Sequence, residues 1–160
     1  MAVDQFLKLD GIEGESQDSK HKNTIDVLAW SWGMSQSGTT HMGAGGGAGK
    51  VNVNDISVTK YIDKSSPTLM IHTSNGKHIP KALLTVRKAG EKPLEYLKIE
   101  MEDIMITSVS TGGSGGEDRL TENITLNFSK VKVMYTEQAK DGSKGASPEY
   151  SWDIAANEGK

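Results

Sequence analysis

Polar and hydrophobic residues alternate through most of the patterned chain, a period of two that sends successive side chains to opposite faces of a strand. Near the start, Val3, Gln5, Leu7 and Leu9 share one phase against Asp4, Lys8 and Asp10, and only Phe6 falls out of step, so a first strand is predicted there. Similar patterns predict strands at residues 24–34, 50–61 and 81–88, the last with Ala82, Leu84 and Val86 on one face, and a short strand at 150–154. Two long segments, residues 94–110 and 119–136, flank a glycine-rich connection at 111–118 and read as a hairpin. In three of these strands the apolar phase reverses partway. Leu97, Ile99 and Met101 give way to Ile104 and Ile106; Ile124, Leu126 and Phe128 to Val131, Val133 and Tyr135; Val51 and Val53 to Ile56 and Val58. A reversal requires a bulge or a strand that leaves one sheet for another. Long bent strands closing into a barrel or a sandwich satisfy it most simply.

One helix is predicted. Ser66-Pro67 places a capping hydroxyl before a proline at the first helical position, and Asn75-Gly76 supplies a left-handed stop, bracketing residues 68–74 within a helix of about 66–75. A helix this short does not stand alone, so it must pack on the sheets, with Met70 and Ile71 as its expected anchors. Residues 28–35 divide sharply by phase: Leu28, Trp30, Trp32 and Met34 are bulky, whereas Ala29, Ser31, Gly33 and Ser35 are small. The bulky set is expected in the core. The small set reads either as a solvated wall or as a surface kept flat so that a neighbouring subunit or a passenger protein can lie against it. Residues 37–50, SGTTHMGAGGGAGK, form a long loop with six glycines. Loops beyond about 12 residues without structure of their own are uncommon unless functional or disordered. Docking against another copy, with Met42 as apolar anchor, would give this one a purpose.

Composition narrows the function. A chain of 160 residues fits one domain, no internal repeat is visible, and 35% hydrophobic residues with 18 glycines imply a small core with long loops. The net charge of −3 gives no broad attraction for nucleic-acid phosphates or anionic lipid, and the absence of cysteine excludes disulfides, thiolate metal sites and cysteine catalysis. Asp4, Lys8 and Asp10 interrupt the first apolar run, so it is not expected to be the core of a secretory signal. Residues 43–50, GAGGGAGK, fail as a phosphate loop: the first glycine of that motif falls on Ala44, Val51 stands where a magnesium-binding hydroxyl belongs, and a strand pattern follows. His21, His41, His72 and His78 lack metal-ligand spacing and are expected to be mostly solvated. Glu100 and Glu102 share a face with Lys98 and have no nucleophile motif nearby, so a charged solvated face is the better reading than an acid–base pair. The glycosylation-like triplets at Asn123 and Asn127 fall inside a predicted strand. No catalytic residue, cofactor or metal is expected.

The opening MAVDQFLKLDGIEGES, the block HKNTIDVLAWSWGMSQSG, and then KVNVNDISVTKYIDKSSPTLM, KALLTVRKAG and SVSTGGSGGEDRLTENITLNFSKV follow in an order that resembles the haemolysin-coregulated protein (Hcp) family of type VI secretion systems. The resemblance runs to about residue 154. It implies a mainly β fold, a two-sheet β-barrel with one short flanking helix and a long extended loop, in a single domain over residues 1–160. It also implies a homohexamer whose rings stack into the inner tube, effector proteins carried in the lumen, contacts with spike, sheath and baseplate, and export from the bacterial cytoplasm without a signal peptide. The loop residues Thr40, His41, Met42, Gly43, Gly45, Gly46, Gly47, Gly49 and Lys50 match the family loop that reaches neighbouring subunits and rings. Edge strands are expected to close the ring by backbone pairing, and the small face at Ala29, Ser31 and Gly33 to form the lumen wall. The alternative from the residues alone is a monomeric ligand-binding barrel, lectin-like or lipocalin-like. A hydrolase resting on Glu100, Glu102 and His72 would need a concave site that no motif signals.

Overall fold

A computed structural model describes residues 2–38 and 49–159. Strand β1 (Val3–Leu9) pairs along its whole length with β6 (Ile79–Lys88), and β6 in turn with the first half of β7 (Glu95–Thr111). Strand β2 (Ile25–Ser31) leaves β1 after two paired positions and runs beside β5 (Ile56–Tyr61). Beyond β5 lies β8 (Thr121–Asn127), which pairs with the second half of β7. The circuit β1-β2-β5-β8-β7-β6 therefore closes a six-strand antiparallel barrel from two sheets. Three further strands, β9 (Lys130–Tyr135), β10 (Glu149–Asp153) and β11 (Glu158–Gly159), extend one sheet outward from the first half of β7. A separate ribbon of β3 (Met34–Ser35) and β4 (Asn52–Val53) stands at the foot of the long loop. The mainly β, two-sheet barrel implied by the phase reversals is the observed fold.

Each reversal has a structural cause. In β7, Met101 and Ile104 are both buried because Asp103 between them takes a left-handed φ of 55°, which returns an even position to the interior. Its partner breaks at the same level, between β8 and β9, where the Ser129 N–H donates to the Glu102 carbonyl at 3.1 Å. The predicted strand at 50–61 divides into β4 and β5, and that at 24–34 into β2 and β3. Strand β2 holds a fourth reversal: its register against β5 slips between Val27 and Ala29, so Leu28 is the extra residue of a bulge. Ile25 and Val27 face inward before it, and Trp30 after it. This corrects the expectation for the bulky set. Trp30 and Trp32 pack against the core, whereas Leu28 on the bulge and Met34 on the ribbon are exposed.

The core is a single cluster that includes Leu7, Ile25, Ile56, Leu84, Ile99, Ile104, Ile124 and Leu126, each contributing roughly 1.5–3 kcal/mol through burial. Phe6, the residue out of phase in β1, is buried on the outside of the barrel, where the His21 ring stacks on it at 4.3 Å and the Arg87 guanidinium lies 5.0 Å over it.

Helix α1 (Ser66–Asn75) begins with Pro67 in its first turn and stops at Gly76, whose φ of 69° and N–H bond to the His72 carbonyl match the predicted stop. Ser66 is not the cap: Ser65 takes that position, and the Ser66 hydroxyl turns inward to Glu122. Nor are Met70 and Ile71 the anchors. They are 41% and 59% exposed, and the fully buried Leu69 holds the helix instead. Only one flank of so short a helix meets the barrel, and residues one and two places after Leu69 point about 100° and 200° away from it.

Candidate assembly and cargo surface

The outward side of the sheet formed by β2, β5, β8 and the second half of β7 follows from its register. Ala29 lies opposite Thr59, Thr59 opposite Asn123, and Asn123 opposite Ser110. The neighbouring row runs Ser31, Ser57, Thr125 and Ser108. Between them the inward row is Trp30, Val58, Ile124 and Val109. Small polar residues thus cover one face of all four strands, and apolar residues fill the other. Within the face, the Thr59 hydroxyl donates to Asn123 Oδ1 at 2.6 Å. The Ser108 and Thr107 hydroxyls lie 2.7 and 2.6 Å from Thr125 Oγ1, and Thr107 donates to Asp55 at 2.7 Å. Asn127 donates to the other Asp55 oxygen at 2.9 Å.

Of the residues singled out for the lumen, Ala29 and Ser31 occupy adjacent rows of this face. Gly33 does not: it follows the end of β2, is half-buried, and accepts the Asn54 N–H at 3.0 Å. Of the loop residues, Thr40, His41, Met42, Gly43, Gly45, Gly46 and Gly47 lie outside the described residues. Gly49 and Lys50 form the exposed stem that leads into β4. A Cβ on Gly49 would sit 2.5 Å from Ser37 Oγ, so glycine there lets the two stems of the loop approach closely.

The same sheet has two uncovered sides among the described residues. Leu28–Ser31 of β2 have no strand partner on the side away from β5, and residues 105–111 of β7 have none on the side away from β8. At the first of these, Gln5 stands in for the missing ladder, donating to the Leu28 carbonyl at 3.3 Å and accepting from the Trp30 indole at 2.8 Å.

The opposite sheet presents different chemistry. Lys81, Glu102, Lys130 and Asp153 stand in one cross-strand row of alternating sign, and Glu100 faces Lys132 in the next. These residues and Trp152 border an open concavity of about 880 Å³. Glu100 and Glu102 therefore belong to a charged lattice, each opposite a lysine. His21 departs from the expected solvation: it is mostly buried, stacked on Phe6 and bonded to Glu95 at 2.6 Å. Beside it, Arg87 grips Asp18 through two bonds of 2.7 and 3.1 Å and reaches Asp4 at 3.0 Å. The bond from Arg87 holds the Asp18 carboxyl down at about 2, and the two carboxylates raise the Arg87 guanidinium further.

Sequence reasoning missed one interior feature. Lys60 and Glu122, a cross-strand pair on β5 and β8, are both fully buried and joined in an ion pair. Lys60 also reaches the Tyr61 carbonyl at 2.9 Å and Asp63 at 3.2 Å, and the Ser66 hydroxyl donates to Glu122 at 2.6 Å. The signal was present, since both residues occupy the inward phase of otherwise apolar strands, after Ile56 and Val58 and before Ile124 and Leu126.

Comparison with known proteins matches residues 6–135 to the family described as type VI secretion system effector, Hcp. The chain is 62% identical to a protein named Hcp1 from Pseudomonas aeruginosa over 159 residues, 98% of each chain. Among solved structures it is similar to Hcp1 from Salmonella typhimurium, with a TM-score of 0.84 at 44% identity over the whole of both chains. A type VI secretion system effector from Yersinia pestis aligns with a TM-score of 0.78 at 38% identity, over 94% of this chain and 100% of that one.

Proposed function

Because the chain belongs to the Hcp family of type VI secretion tube proteins, we propose that six copies close into a ring, that rings stack, and that the lumen carries effector proteins. The observation that carries this reading is the four-strand sheet with a small polar outward face and two uncovered sides. Across β2, β5, β8 and β7 the strands alternate in direction, so β2 of one copy and β7 of the next are antiparallel when both copies share a ring axis. Pairing them head to tail continues one sheet around the ring, which is how a heterologous contact closes. It also satisfies backbone groups that otherwise invite uncontrolled pairing. The face with Ala29 and Ser31 then lines the lumen, where small side chains leave the bore unobstructed, and Gly33 borders it.

The glycine-rich loop supplies the weaker contact between rings, through Met42 and the glycines around it. The family is one of structural secretion proteins, and the chain acts without catalysis, cofactor or metal. It is made in the bacterial cytoplasm and leaves through the apparatus, meeting spike, sheath and baseplate on the way. Light scattering on purified protein should give a mass of about six chains and negative-stain images should show rings. Ser31→Gln should keep the rings and lower effector retention. Protein that stays monomeric at every concentration and salt would refute the ring and return the monomeric ligand-binding barrel as the better reading.

A further inference from the structure

The two rows of the four-strand face contain no charged residue, a property that the reading of this face as the lumen wall does not by itself require but on which the present inference is built. We propose that the wall recognises polypeptide cargo through uncharged, short-range hydrogen bonds to backbone amides and to Ser, Thr, Asn and Gln side chains, so that retention is indifferent to the sign of the cargo's charge and to salt. The hydrogen-bond directions support this. A carboxylate only accepts, so Thr107 must donate to Asp55; Thr107 then accepts from Thr125, and Thr125 from Ser108. The chain runs one way, and each of these hydroxyls has committed its proton and offers lone pairs to a visitor. In the neighbouring row Asn123 accepts from Thr59 through its oxygen, which leaves its amide hydrogens to donate. Acceptors from one row and donors from the next suit the two halves of a peptide group.

The nearest fixed charges stand at the ends of the face and are both engaged. Asp55 takes bonds from Thr107 and Asn127, and the Arg119 guanidinium lies 3.8 Å over the Tyr61 ring. On the other side of the barrel the rows alternate lysine with carboxylate, so the neutrality of this face is not a general feature of the surface. Charges across an interface select the partner's sign and make binding salt-dependent. A wall without them loses both effects and keeps only contacts at hydrogen-bonding distance.

The test uses assembled rings and short fluorescent peptides of one length: a neutral Ser/Asn-rich peptide, one bearing lysines and one bearing glutamates. Anisotropy should give affinities that agree within about threefold and that change less than about twofold between 0.1 and 1 M salt, where the Debye length falls from about 10 to about 3 Å. Rings carrying Thr59→Glu should favour the lysine peptide over the glutamate peptide by about tenfold at low salt and lose that preference at high salt. A salt-sensitive preference of more than about tenfold for one sign by unaltered rings would overturn the inference while leaving the cargo role intact. An unchanged profile in the Thr59→Glu rings would overturn it by placing binding elsewhere. Rings that bind none of the three peptides would overturn the cargo role and this inference together.

Discussion

Lys60 and Glu122 show how much a single residue depends on its partner inside a barrel. Neither retains contact with water, and each is held by the other and by Ser66, Asp63 and the Tyr61 carbonyl. Removing one member leaves the other charge uncompensated, which typically costs about 3–5 kcal/mol, whereas replacing both with apolar residues of similar volume can be close to neutral. Glu122→Gln should therefore lower the urea midpoint more than the double replacement Lys60→Met with Glu122→Leu does, and the reverse order would show that the pair is not what stabilises this end of the barrel. Asp18 makes a separate prediction. Its carboxyl lies near 2 in the folded protein against an ordinary 3.8, so its contribution is complete above 3.8 and disappears as pH falls toward 2. The stability gap between the unaltered protein and Asp18→Asn should hold constant from neutrality to about pH 4 and close below it. A gap that persists at pH 2 would rule out the grip of Arg87 as its source. At this scale the chemical types were legible and the partners were not: Lys60 and Glu122 stood visibly in an apolar phase, but 62 residues separate them and only the register brings them face to face.

Elements were read as well as their punctuation allowed. Pro67 and Gly76 act on their own backbone, through a fixed φ and a permitted left-handed one, so the helix bounds were legible locally. Which side of the helix faces the barrel depends on where the barrel lies, and the expectation of Met70 and Ile71 failed for that reason. Leu69→Ala should cost about 2–5 kcal/mol and Ile71→Ala little, because only the first empties a buried site. Equal losses in thermal unfolding would contradict Leu69 as the anchor. Among the strands, three reversals showed in the sequence because apolar residues flank them on both sides. The fourth, at Leu28, was hidden because the bulge residue is itself apolar and continues the apparent phase of Trp30.

At the scale of the whole molecule, closure leaves the two corners of the barrel splayed, where β2 parts from β1 and β7 from β6, and these corners are the open sides of the neutral sheet. If ring closure uses those sides and ring stacking uses the loop, the two can be separated. Deleting residues 43–48 should leave the ring mass unchanged and shorten tubes in electron micrographs, while tubes of ordinary length would exclude the loop from stacking. The sequence by itself determined the strands and turns, the helix bounds, the bent-strand architecture and the absence of a charged lure for nucleic acid or lipid, because alternation, proline, glycine and charge act over a few residues. Only the tertiary structure decided that the barrel closes with two sides open, that Ala29 and Ser31 share their face with three other strands while Gly33 does not, and that Lys60 meets Glu122. Each of those depends on register between segments far apart in the chain, which local pattern leaves undetermined.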